Sequence, residues 1–313
     1  MKYLHFLALI GALATLTSSA AEVEEFLAEP RDEVRDRVVP LRVYATDLDT
    51  ATAHPIVLFS HGLGGSRNNN AFLGRCWAQA GYIAVFMQHP GSDEAVWRGQ
   101  GGAAAAMAAL KAAANLQASR DRFLDVPFVI DQLEHWNSEQ GHPLYQKLDL
   151  AHIGMSGHSF GAVTSQGLMG QTFRIGGPYT DPRITAFLLM SPSAHRATSP
   201  EQAFQAVTAP VFCMTGTEDG SPVEPDLDPL SRQQVYAALP AGDKYQIVFE
   251  GARHMAFGDA QLAARNDRYH AIIEQLSTRF WDAYLKADVH AKAWLQSDQP
   301  RTLLQPQDSW SWK

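Results

Sequence analysis

Short apolar runs that do not alternate with polar residues recur along this chain, and each ends in a cluster of turn residues. Residues 56–59 (Ile-Val-Leu-Phe) run into Ser60-His61-Gly62, and residues 82–87 run into Gln88-His89-Pro90-Gly91. Residues 150–155, 184–190, 210–215 and 245–249 repeat the pattern. A strand that is apolar on both faces is buried on both faces. Helix-like stretches at 71–80, 123–136, 159–168 and 260–295 fall between or after these runs. Strands alternating with helices predict a mostly parallel central sheet covered by helices on both faces, an α/β fold. In such sheets the chemistry collects at the carboxyl ends of the strands. A less regular strand is expected over 36–46, after a charged lead-in at 22–37.

Composition sets the class. The chain has 313 residues, long enough for one large domain. It is 46% hydrophobic and 19% charged, as a globular enzyme is. Its formal net charge of -8 argues against nucleic acid and anionic lipid as partners. Lys2, the apolar stretch 4–16 and the small residues Thr17-Ser18-Ser19-Ala20-Ala21 have the form of a secretory signal peptide over 1–21. The apolar stretch is shorter than the ~20 residues of a spanning helix, which disfavours a membrane anchor. Export to the periplasm or the medium is expected, with no stable membrane insertion after cleavage. The catalytic domain is expected over 22–298, with a tail at 299–313 that the pattern does not place.

Cys76 falls in an expected helix and Cys213 in an expected buried strand, so each is expected to pack as a small apolar residue rather than to pair. No CxxC, HExxH or Cys/His pattern is present, and no metal is expected. The stretch Gly99 to Ser119 is rich in alanine and breaks the strand–helix rhythm; the insertion is taken as about 92–119. Two readings stand for it: a surface helix on a glycine hinge, or a lid or pocket wall.

The strongest chemical signal is Gly157-His158-Ser159-Phe160-Gly161, between an expected strand and an expected helix. A sharp strand-to-helix turn of this kind lifts a serine Oγ above the sheet, and the flanking glycines avoid clashes there. A second signal is Phe59-Ser60-His61-Gly62-Leu63-Gly64-Gly65 at an earlier strand end. Its spacing is not that of a phosphate loop, and it lacks the lysine. The backbone N–H groups of Leu63 and Phe160 are the expected oxyanion donors. A serine hydroxyl needs a base, and the base needs an orienting carboxylate. In chain order these are Asp219, three residues past Gly216 and preferred to Glu218, and His254, after the strand at 245–249. His61 and His158 are expected to bond neighbouring backbone. Trp97 and Met255 are candidate substrate contacts.

These motifs resemble the α/β-hydrolase superfamily from about residue 55 to 280. Within it, the 59–64 and 157–161 motifs, with Arg122-Phe123-Leu124-Asp125-Val126, resemble the platelet-activating-factor acetylhydrolase-like group, whose bacterial members are often described as dienelactone-hydrolase-like. The resemblance implies hydrolysis of short-chain or truncated acyl esters through a Ser159–His254–Asp219 triad, with no cofactor. The substrate would be a small-molecule or lipid ester. One departure stands out: in the animal enzymes the acid follows the strand after the nucleophile helix. Here that strand ends Met190-Ser191-Pro192-Ser193, without a carboxylate. The animal substrate is therefore not carried over. Ser159 in place of a cysteine nucleophile favours simple esters over dienelactones. Alternatives on the same triad are a polyester or cutin hydrolase, a lipase, or a serine peptidase. The intact residue set disfavours a catalytically dead binding scaffold.

Overall fold

The computed structural model describes residues 22–194, 198–259 and 266–313. The expected signal peptide at 1–21 lies outside the described residues. The chain opens with β1 (Glu24–Ala28), a two-residue hairpin pair β2 (Arg31–Asp32) and β3 (Arg37–Val38), and β4 (Leu41–Ala45). Next come β5 (His54–Ser60), α1 (Ala71–Gln79), β6 (Ile83–Met87), α2 (Ala103–Ala113) and α3 (Leu116–Ser138). Then follow β7 (Leu148–His158), α4 (Phe160–Leu168), β8 (Ile184–Met190), α5 (Pro200–Phe204) and β9 (Val211–Glu218). The last elements are α6 (Gln234–Ala238), β10 (Lys244–Arg253), α7 (Asp267–Leu285), α8 (Val289–Leu295) and β11 (Ser309–Trp312).

Nine strands form one sheet in the order β1-β4-β6-β5-β7-β8-β9-β10-β11. The strands from β6 to β10 pair in parallel, and antiparallel strands close both edges. This is the α/β sheet expected from the apolar runs. Side-chain alternation divides each strand between two cores. Ile56 and Leu58 of β5 face one, with Val126, Val129 and Leu133 of α3. Val57 and Phe59 face the other, with Trp77 of α1 and Phe280 and Trp281 of α7. Helices therefore cover both faces.

Four local expectations differ from the structure. The charged lead-in forms a strand, because Glu24–Ala28 pairs antiparallel with β4. An edge strand with both glutamates exposed has no apolar run to announce it. The helix expected from 123 begins at Leu116, where the Asn115 side chain accepts a hydrogen bond from the Ala118 N–H. The described part of the 260–295 helix breaks after Leu285: Ala287 has φ 53°, and Asp288 caps α8. The tail supplies β11, and Trp310 stacks on Tyr245 within the second core. Cys76 and Cys213 are free. Among the described residues no helix is long and apolar enough to cross a membrane.

Candidate active site

Because β5, β6, β7, β9 and β10 run parallel, the loops at their carboxyl ends gather along one edge of the sheet. β7 ends at His158, and Ser159 follows with φ 57° and ψ -116°, a conformation that L-residues rarely adopt. Its N–H is held by Met190 O at 2.9 Å. Backbone strain of this kind costs about 1–3 kcal/mol and persists only where the surroundings impose it. The imposing contacts are close: a Cβ on Gly157 would lie 2.2 Å from Gly161 O, and one on Gly161 1.9 Å from Ser60 O. The two glycines let the start of α4 press against β7 and β5.

His254 follows β10, and Asp219 follows β9. The ends of β9 and β10 approach closely, since a Cβ on Gly216 would meet Ala252 O at 2.2 Å. That approach sets the two side chains together. His254 Nδ1 lies 2.8 Å from Asp219 Oδ1, and His254 Nε2 lies 2.8 Å from Ser159 Oγ. In the tautomer this arrangement favours, Nδ1–H donates to the carboxylate and Nε2 accepts from the serine hydroxyl. Asp219 is fully buried and also accepts from Thr215 Oγ1 at 2.7 Å. Burial would raise its pKa. The hydrogen bond and charge of His254, the Arg232 charge and the Thr215 hydroxyl outweigh this and lower it. Glu218 instead pairs with exposed Arg253. Asp259 accepts from the Asn70 and Ala71 N–H groups at the start of α1.

Two arginines support this arrangement, Arg122 of the 122–126 motif and Arg232 from outside the motifs. Arg232 is buried, with Nε 3.7 Å from Asp219 Oδ1. It donates to Asp219 O, Ser191 O and Gly220 O, tying together the loops after β8 and β9. Arg122, on α3, donates to His61 O at 2.7 Å and to Ser92 Oγ at 2.8 Å, and its guanidinium lies 4.4 Å from the Phe160 ring centre. It clamps the loop that carries Leu63. An arginine and an aspartate three residues apart on the core face of an apolar helix were the available signal for Arg122 and Asp125. Nothing local in the sequence marks Arg232.

Leu63 and Phe160 line one cavity with Ser159, and among the described residues neither N–H has a backbone acceptor. Trp97 and Met255 line an adjoining cavity that also contains Ser159 and His254. His61 and His158 do bond backbone. His61 lies 2.6 Å from Gly62 O, and His158 Nε2 lies 3.0 Å from His254 O. His158 thus reaches backbone far along the chain, bracing the His254 loop. Residues of α2 line the cavity of Trp97 and Met255, and residues at the start of α3 line the other, so the Ala-rich insertion walls the cleft. Among the described residues no cluster of metal-ligating side chains is present.

The parallel sheet with helices on both faces, and its loops gathered at one edge, make an α/β fold of the α/β-hydrolase kind. Residues 37–100 match the family model for platelet-activating factor acetylhydrolase, isoform II. The matched stretch holds the 59–65 loop, His89 and Trp97, and it ends before Ser159. It bears out the resemblance to that group, and with the fold it supports a hydrolase acting on esters. No curated protein matches the chain.

Proposed function

We propose that this protein is an exported serine hydrolase that cleaves carboxylic esters through an acyl-enzyme, with Ser159, His254 and Asp219 as its triad. The observation that carries the reading is the unbroken hydrogen-bonded chain from Ser159 Oγ through His254 to Asp219, with Ser159 on a strained turn that opens into a cleft. Ser159 Oγ bonds to the acyl carbon as its proton passes to His254 Nε2. The carbonyl oxygen takes up negative charge and is held by the Leu63 and Phe160 N–H groups, of which one such donor is typically worth about 10²–10³ in turnover. The C–O bond to the alcohol then breaks, its electron pair stays on the alkoxy oxygen, and Nε2–H protonates that oxygen. Water, deprotonated by His254, attacks the acyl carbon. The Oγ–C bond breaks, and the proton returns to Ser159.

Asp219 holds the His254 tautomer and stabilises the imidazolium that forms in both steps. Its depressed pKa keeps it ionised at neutral pH, as this role requires. Short-chain or truncated acyl esters are the proposed substrates, and residues 1–21 the proposed export signal. Hydrolysis of p-nitrophenyl esters from acetate to palmitate, wild type beside Ser159→Ala, tests the reading. Serine-dependent activity is expected. Its absence from every ester, in a folded protein, would overturn the assignment. A peak at palmitate would make the enzyme a lipase instead. N-terminal sequencing of the exported protein checks for cleavage after Ala20 or Ala21.

A further inference from the structure

Ser159 stands where two cavities meet. One, of about 580 Å³, is lined by Trp97, Met107, Leu110, His254 and Met255. The other, of about 590 Å³, is lined by Leu116, Phe160, Val163, Phe173, Ala194 and Leu227. Leu63, Ser159, Ser221 and Val223 belong to both. Each is by itself large enough for a small-molecule group. The Ala-rich insertion contributes to both: Met107 and Leu110 of α2 face the first, and Asn115, Leu116 and Ser119 face the second.

Proton transfer decides which group goes where. In the tetrahedral intermediate the acyl carbon carries Ser159 Oγ, the oxyanion, the alkoxy group and the acyl chain. The oxyanion points to the Leu63 and Phe160 N–H groups. The alkoxy oxygen must lie within hydrogen-bond reach of His254 Nε2 to receive its proton. His254 lines the first cavity and not the second. Resting on the ester-hydrolase reading above, we propose that the alcohol occupies the Trp97–Met255 cavity and the acyl chain the Phe160–Phe173 cavity. The linings then define the substrate. The acyl cavity sets Leu116, Val163 and Phe173 beside Gln171, Glu224 and Arg232, and it is far larger than the two carbons of an acetyl group, given about 30 Å³ for a water-sized group. The alcohol cavity sets Trp97 and Met255 among Asn68, Glu94, Arg98 and Asp259. The substrate class is an ester with an acyl chain longer than acetyl and an alcohol bulky enough to fill a second cavity of about the same size.

The test crosses two ester series with two variants. The first series varies the acyl chain from acetate to octanoate on p-nitrophenol. The second varies the alcohol at fixed butyrate, from ethyl to benzyl to glyceryl. In wild type, kcat/KM should rise by up to about fourfold per methylene beyond acetate. Val163→Phe should lower the octanoate-to-acetate ratio at least about tenfold, the loss of roughly two such methylenes of binding, and leave the alcohol ratios unchanged. Met107→Trp should do the reverse. Phe173→Ala, which enlarges the acyl cavity, should move the optimum to longer chains, and it serves if Val163→Phe does not fold. Crossed effects, equal effects in both series, or no change in either would overturn the assignment of the two cavities. Absence of Ser159-dependent hydrolysis in wild type would instead overturn the ester-hydrolase reading itself.

Discussion

Two Ser–His–Asp chains lie at the ends of neighbouring strands, and only one of them faces a cleft. In the first, Ser159 Oγ and His254 Nε2 are 2.8 Å apart, and His254 Nδ1 and Asp219 are 2.8 Å apart. In the second, Ser60 Oγ and His89 Nε2 are 2.9 Å apart, and His89 Nδ1 and Asp125 are 2.8 Å apart. Residue types, order of bonds and lengths agree. The surroundings do not. Ser60 is the last residue of β5, is wholly buried, and accepts a further bond from Arg122 at 3.3 Å. Asp125 accepts from Arg35 and Arg37 besides His89. Burial would raise the Asp125 pKa, but these donors pull it down to about 2. Besides its three side chains, the Ser159 chain has a strained turn and a cavity beside the hydroxyl. The buried chain has neither. It is a brace: the His89 N–H donates to His61 Nε2, and Arg122 donates to His61 O, so the network fixes the loop that carries Leu63.

The largest expected difference is between the two serines. Ser159→Ala should lower kcat on the order of 10⁴–10⁶-fold. Ser60→Ala should stay within about tenfold of wild type. A fluorophosphonate probe, followed by peptide mapping, should label Ser159 and not Ser60. Labelling at Ser60 would end the distinction between an open triad and a sealed brace.

The two aspartates should separate activity from stability. Asp219→Asn should keep the fold and lower kcat by about 10⁴, because the imidazole then loses its orienting carboxylate. Asp125→Leu removes the counter-charge of Arg35 and Arg37 in a buried site and should cost about 3–5 kcal/mol of unfolding free energy. Paired urea melts and kinetics read both. An Asp125 variant that is fully stable yet inactive would place Asp125 in the chemistry.

Arg122→Lys sharpens the brace reading. A lysine keeps the charge but cannot reach His61 O, Ser92 and Ser60 together. The Leu63 loop should lose its setting, and kcat should fall by about 10–100-fold with KM little changed, since the oxyanion forms only in the reaction. A change confined to KM would mean that Arg122 shapes the pocket instead.

Much of this was legible in the sequence because it is local. The elbow motif sits within five consecutive residues, and the parallel strands announce themselves by unbroken apolar runs. Asp219 and His254 each follow such a run, and the need of a serine for a base and an orienting carboxylate brought them together. What was not legible depends on contacts between distant segments. The buried network joins Arg35, Arg37, His89, Arg122 and Asp125 from three separate stretches, and nothing within any one stretch shows that it meets the others. The first and last strands of the sheet are short and partly exposed, so their residues carry no burial pattern. The start of α3 is polar because it faces solvent, and its cap at Asn115 was masked by the alanines before it.

The smallest expected effect is on the dependence of stability on pH, where both regions contribute. Burial holds His89 down to about 4 and His158 down to about 3, against 6.5 for the unfolded side chain. Below pH 6.5 the unfolded chain therefore takes up protons that the folded chain does not, and stability falls as pH falls. Each such histidine contributes up to about 1.4 kcal/mol per pH unit between about 6.5 and its folded value. Asp125 adds to the fall in the same direction, but only below its unfolded value of 3.8. Urea midpoints at pH 7, 6 and 5 should therefore decline on the acid side. His89→Asn and His158→Asn should each flatten the decline by about one proton's worth, whatever their effect at pH 7. If only His158→Asn flattens it, the brace is open to protons in the folded state, and its isolation from solvent no longer supports the expectation that Ser60 is inert.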